Sequence, residues 1–192
     1  MVNTESFEFE GIYHIFSHVN GEEIIFREAS NYHFFMEKID KYIIPIADIY
    51  AYCLLPNHFH ILLRFKNFDG VDNEREHSFL MKPFSDLLNA YAKAYNKKYN
   101  RKGALFLNTI KRKKVQDEKY LLKVLHYIHN NPVNHGFVND INQWKYTSYS
   151  AYVNLTKPSK VERMHLMEYF DTVEDFIKYH VSNVEYDFMD LE

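Results

Sequence analysis

The chain has 192 residues, 46% of them hydrophobic and 26% charged, with five Gly and five Pro, a composition that excludes intrinsic disorder and suits one domain with elaborations. The single cysteine, Cys53, excludes an internal disulfide and fits a reducing, cytoplasmic compartment. The acidic start MVNTESFEFEG has neither the basic residues nor the apolar run of a signal peptide. The longest apolar stretch, residues 42–55, is broken by Pro45 and Asp48 and falls short of the ~20 residues of a spanning helix, so neither secretion nor membrane insertion is expected.

Residues 11–19 mix β-branched and aromatic side chains and run into Asn20-Gly21, which predicts a strand and a turn. Residues 30–43 carry Phe34, Phe35, Ile39 and Ile43 at helical spacing, with Ser30 as the expected N-cap. Two apolar runs, 47–55 and 58–66, flank Pro56-Asn57 and predict an antiparallel hairpin. In its second strand Phe59, Ile61, Leu63 and Phe65 share one face, and His58, His60, Leu62 and Arg64 the other. Residues 67–78 read as a polar loop. Residues 79–99 form an amphipathic helix on Phe84, Leu87, Leu88, Tyr91 and Tyr95, closed by Arg101-Lys-Gly103. A strand follows over 104–115, then a helix from Asp117 to about Asn131, where Pro132 is expected to stop it.

The order β-α-β-β-α-β-α is the split βαβ arrangement. It predicts an α+β, ferredoxin-like antiparallel sheet with helices on one face, a further helix after the last strand, and a helical C-terminal extension. The division falls at 1–155 for the core domain and 156–192 for the extension. Charge is segregated along it: residues 93–114 hold nine basic and no acidic residues, whereas 161–192 hold nine acidic and two basic ones, within a net charge of −3. A local field of that kind points to a polyanion for the basic segment, a solvated helix face being the bland alternative.

Three groups carry chemistry. On a strand, His58 and His60 point to one face and can reach one ion; two satisfied, half-buried histidines would look the same. Tyr127 and Asn131, four apart, share one edge of the Leu121, Val124, Leu125, Ile128 stripe. That phenol is either packing or, with an ion held beside it by the Asn amide, a nucleophile for a phosphodiester. Lys97, Lys98, Arg101 and Lys102, with Lys111, Arg112, Lys113 and Lys114, would contact phosphates. Tyr91, Tyr95 and Tyr99 could stack bases, although their spacing places them in a core first. His126 and His129 read as helix-flank residues and His135 as a loop residue, rather than ligands.

Four blocks together resemble the REP-associated tyrosine transposases, relatives of the single-strand insertion-sequence transposases within the HUH (His-hydrophobic-His) endonuclease superfamily. They are Tyr52-Cys-Leu-Leu-Pro-Asn-His-Phe-His60; Tyr95-Asn-Lys-Lys-Tyr-Asn-Arg-Lys-Gly-Ala-Leu-Phe106 with Lys111-Arg-Lys113; Tyr127-Ile-His-Asn-Asn-Pro-Val133; and Trp144-Lys-Tyr-Thr-Ser-Tyr149. The resemblance implies cleavage and rejoining of single-stranded DNA at hairpin, REP-like sites in a bacterial, nucleoid-associated setting. It implies Tyr127 as the nucleophile of a 5′-phosphotyrosine intermediate, and Mg2+ or Mn2+ held by His58, His60 and Asn131. Asn131 stands where the insertion-sequence branch has Gln. The resemblance leaves both a monomer and a homodimer open. The competing expectation is a non-catalytic module that binds structured DNA or RNA on the same fold.

Overall fold

The computed structural model describes residues 5–19, 23–106, 110–182 and 184–186; the expected Asn20-Gly21 turn lies outside them. The chain runs β1 (Ile12–His18), α1 (Ala29–Tyr42), β2 (Ala47–Leu55), β3 (His58–Phe65), α2 (Asn73–Lys98), β4 (Lys111–Lys114) and α3 (Glu118–Asn134). A short 3-10 turn (Ile141–Gln143), α4 (Tyr149–Val153), α5 (Met164–Met167) and α6 (Val173–Val181) follow. The strands form one antiparallel sheet in the order β2-β3-β1-β4, the split βαβ topology, with β3 and β1 central. Among the described residues no helix is long and apolar enough to cross a membrane.

Alternation along the strands gives the sheet two covered faces. Phe59, Ile61, Leu63 and Phe65 of β3, with Tyr13 and Ile15 of β1, pack on α1 and α2 through Phe35, Ile39, Phe84, Leu87 and Tyr91. Leu62, Ala51, Cys53 and Leu55 pack on Leu121, Val124, Leu125 and Ile128 of α3. The two helices enclosed between strands thus lie on one face, and α3 closes the opposite one. Each fully buried aliphatic side chain contributes about 1.5–3 kcal/mol relative to exposure. The extension is not a separate layer: Leu166, Met167 and Phe176 join the same core as α3.

Several boundaries differ from the sequence expectation. Helix α2 begins at Asn73, inside the expected loop, behind Asp72 as N-cap with Glu74 and Glu76 in its first turn. Those polar residues carry no apolar stripe; the turn is held by favourable carboxylates at the helix start and by contacts to the N-terminal segment, where Phe7 N–H donates to His77 Nδ1 at 3.0 Å and Phe9 N–H to Glu76. Helix α1 is capped at Glu28, not Ser30, because Asn31 Oδ1 accepts from the backbone N–H groups of Arg27 (3.0 Å) and Glu28 (3.2 Å). The expected strand over 104–115 shrinks to β4 and an isolated Val19–Phe106 bridge, with 107–109 outside the described residues. Pro132 does not stop α3. It lacks only one donor, and the helix runs two residues further to Asn134, with His135 as C-cap and Gly136 beyond it at a φ of 71°, the left-handed conformation glycine adopts freely.

Candidate functional site

The central strands and α3 bring the sequence-identified residues together. His58 and His60 project from β3 toward α3 and are 3% and 0% exposed, their rings perpendicular at 5.1 Å between centroids. Because Leu121, Val124, Leu125 and Ile128 seat α3 on the sheet, Tyr127 and Asn131 are carried to the histidines, both 0% exposed. The Tyr127 ring stands edge-on to His60, 5.4 Å between centroids at 88°. Asn131 Oδ1 lies 3.2 Å from His58 Nε2, and Asn57 Oδ1 lies 2.8 Å from His58 Nδ1.

Two contributors were missed in the sequence. His14 of β1 is fully buried, and its Nε2 lies 2.9 Å from His60 Nδ1, which directs the Nε2 of His60 away from β1. Its alternation on the first strand placed it on the same face, but only the β1–β3 register, His14 opposite Leu62, shows that it neighbours His60. Tyr186 reaches back from the extension: its ring packs 5.3 Å from Tyr127, and its hydroxyl meets His126 Nδ1. Burial pushes the Tyr186 phenol above its ordinary value.

The donor set can be tested against a divalent ion. Asn131 Nδ2 is a buried polar atom without a hydrogen-bond partner, so the amide is not committed to the fold alone. His60 is oriented through its second nitrogen by His14, as outer partners orient metal-ligating histidines. Among the described residues no group of three or more His, Cys, Asp or Glu is arranged to hold a metal ion, so the candidate set is two imidazoles and an amide, all neutral when ligating. It fits a borderline ion, with the hard oxygen ligands preferred by Mg2+ or Mn2+ left for phosphate to supply.

Strand alternation splits the basic block. Lys111 and Lys113 pair with Phe16 and His14 and lie on the histidine side of the sheet. Arg112 and Lys114 face the other way: Arg112 is buried over the Phe7 ring at 4.8 Å and donates to Glu5 O, and Lys114 pairs with Glu8. Burial lowers the Arg112 pKa from its ordinary value. Arg101 is bound to Glu23 at 2.6 Å and to the carbonyls of Gly103 and Ala104, shaping the turn after α2. Lys98 pairs with Glu28, whereas Lys97 and Lys102 are exposed. Tyr91 and Tyr95 are core residues, their hydroxyls donating to the carbonyls of Ile25 and Ile24.

The helix-flank reading of His126 and His129 is corrected. Both are buried beneath α6, and His129 joins a polar chain. Its Nδ1 lies 2.9 Å from His180 Nε2, its Nε2 2.8 Å from Ser148 Oγ, and His180 Nδ1 lies 2.9 Å from Phe176 O. Desolvation holds His129 well below the ordinary histidine value and His180 at about 3. His135 is exposed, its ring 5.0 Å from His58.

No family model matches the sequence. A curated Haemophilus influenzae protein named "Putative REP-associated tyrosine transposase" is 32% identical over 102 residues, 52% of this chain and 57% of that protein. The matched segment therefore spans little more than half of the relative's length. A solved structure of a REP-associated tyrosine transposase bound to a REP hairpin superposes with a TM-score of 0.62 and 17% identity, covering 83% of this chain and 90% of the other. The resemblance to that family thus holds in sequence over about half of the chain, and in fold over most of it.

Proposed function

On that likeness, we propose that the chain cleaves and rejoins single-stranded DNA at hairpin sites, with Tyr127 as the nucleophile and His58, His60 and Asn131 as ligands of Mg2+ or Mn2+. The observation that supports this best is the buried convergence of two elements: Tyr127 edge-on to His60, and Asn131 Oδ1 3.2 Å from His58 Nε2. A divalent ion bound there supplies polarisation of a phosphoryl oxygen and charge compensation. Tyr127 Oη then forms a bond to the scissile phosphorus as the bond to the 3′-oxygen breaks. The phenolic proton leaves, the 3′-oxygen gains one, and the strand's 5′-phosphate is held as a tyrosyl ester. Attack by a 3′-hydroxyl reverses these changes and frees Tyr127, so no nucleotide cofactor is consumed. Lys111 and Lys113, on the histidine side of the sheet, are placed to orient the strand by its phosphates.

A non-catalytic hairpin-binding module is the second reading, favoured by one observation: Tyr127 is fully buried with Tyr186 packed against it. The two separate on a single experiment. Incubation with labelled single-stranded hairpins and Mn2+ is expected to give an SDS-resistant protein–DNA adduct that is lost in Tyr127→Phe, with hairpin binding retained. Salt-sensitive binding with no adduct in either protein would establish the module instead.

A further inference from the structure

A line of rings leaves the candidate site and crosses the surface. From His58 it passes to His135 (5.0 Å between centroids), Phe137 (6.5 Å), Trp144 (5.7 Å) and Tyr146 (5.9 Å), where Tyr146 lies flat on Tyr32 at 3.5 Å and 3°. The line ends at an open cleft of about 830 Å3 whose walls include Ile24, Phe26, Arg27, Glu28 and Tyr146. Two of the five exposed large apolar side chains among the described residues lie on it: Phe137 within the line, 42% exposed, and Ile24 in the cleft, 48% exposed. Between them Trp144 and Tyr146 are half-buried, so the line presents aromatic surface to solvent along its length.

We infer that this track holds the unpaired nucleotides that flank the cleavage site, with Phe137 and Trp144 as stacking platforms and the cleft beyond Tyr146 taking a base. The inference rests on the reading that a DNA strand enters the His58–Tyr127 site, and it adds where the strand's single-stranded flank runs. Two observations favour nucleobases as occupant. The track is continuous with the candidate site. The indole is fixed, its Nε1 donating to Leu54 O at 3.0 Å, so little ordering cost remains on stacking. Lys145, its Nζ 5.0 Å from the Tyr146 ring, offers a phosphate contact alongside.

Trp144 is the only tryptophan, so the full chain reports on its own track. A short oligo(dT) is expected to quench Trp144 fluorescence, because stacking tolerates any base, while a duplex of the same length binds through the basic residues without quenching. Phe137→Ala, an exposed position, should weaken oligo(dT) about tenfold and leave duplex affinity unchanged. Equal quenching by both DNAs, no quenching by oligo(dT), or unchanged oligo(dT) affinity in Phe137→Ala would overturn the inference. So would a fluorescence change that follows protein concentration alone, which would make the surface a contact between copies. Quenching without a Tyr127 adduct would keep the track and remove strand transfer; an adduct without quenching would do the reverse.

Discussion

Two buried histidine groups lie on opposite sides of α3, and they solve the same problem differently. In the group beneath α6, a neutral assignment satisfies every ring nitrogen of the chain in turn. His180 Nδ1–H donates to Phe176 O, His180 Nε2 accepts from His129 Nδ1–H, and His129 Nε2 accepts from the Ser148 hydroxyl. Beside Tyr127 the polar groups are not all used: Asn131 Oδ1 lies 3.2 Å from His58 Nε2 while its buried Nδ2 has no hydrogen-bond partner. The first group is a finished structural joint between α3 and α6. The second keeps a local mismatch of the kind that proteins retain at working sites.

That contrast can be broken most sharply at His60. His60→Ala is expected to eliminate adduct formation, and His14→Ala, which removes only the partner that orients it, to lower the rate by about 10–100-fold, with hairpin affinity nearly unchanged in both. If His14→Ala and His60→Ala both leave the adduct rate intact in a gel time course, the β3 histidines are packing, like those beneath α6. A smaller effect is expected from the extension. Removing residues 183–192 takes Tyr186 off Tyr127 and should speed adduct formation several-fold; an unchanged or slower rate would make Tyr186 part of the site's architecture and not its cover.

The α6 joint should respond to acid, not to DNA. His180 has a folded pKa of about 3 against an ordinary value of 6.5, so between those values the unfolded chain binds more protons and stability falls as pH drops. Denaturant melts at pH 7 and pH 5 should differ by roughly 2 kcal/mol from this residue. His180→Leu should reduce that dependence by about this amount, with His129 keeping its own share, and a variant as pH-sensitive as the parent would place the loss elsewhere.

Much of this was legible before the fold was known. Alternation alone sorted His58 and His60 from Phe59 and Ile61, and the i, i+4 spacing set Tyr127 and Asn131 on one edge of a helix; both are local periodicities. His14 was not legible, because its role depends on strand register between β1 and β3, 46 residues apart in the chain. Nor was the first turn of α2, since residues 73–78 are polar and their helix depends on tertiary partners at Phe7 and Phe9. The basic block misled for the converse reason. Counted along the sequence it is one patch, but strand pleating sends Arg112 and Lys114 to the far face and leaves Lys111 and Lys113 beside the histidines.

Pro132, which failed to end α3, has a mechanical consequence. It follows Asn131 directly and has no N–H to tie that turn back to Ile128. The amide that would complete the ion's ligand set therefore sits beside the one rung that proline removes from the helix ladder, while the carbonyls of Asn131 and Pro132 still accept from His135 and Phe137 and hold the turn together.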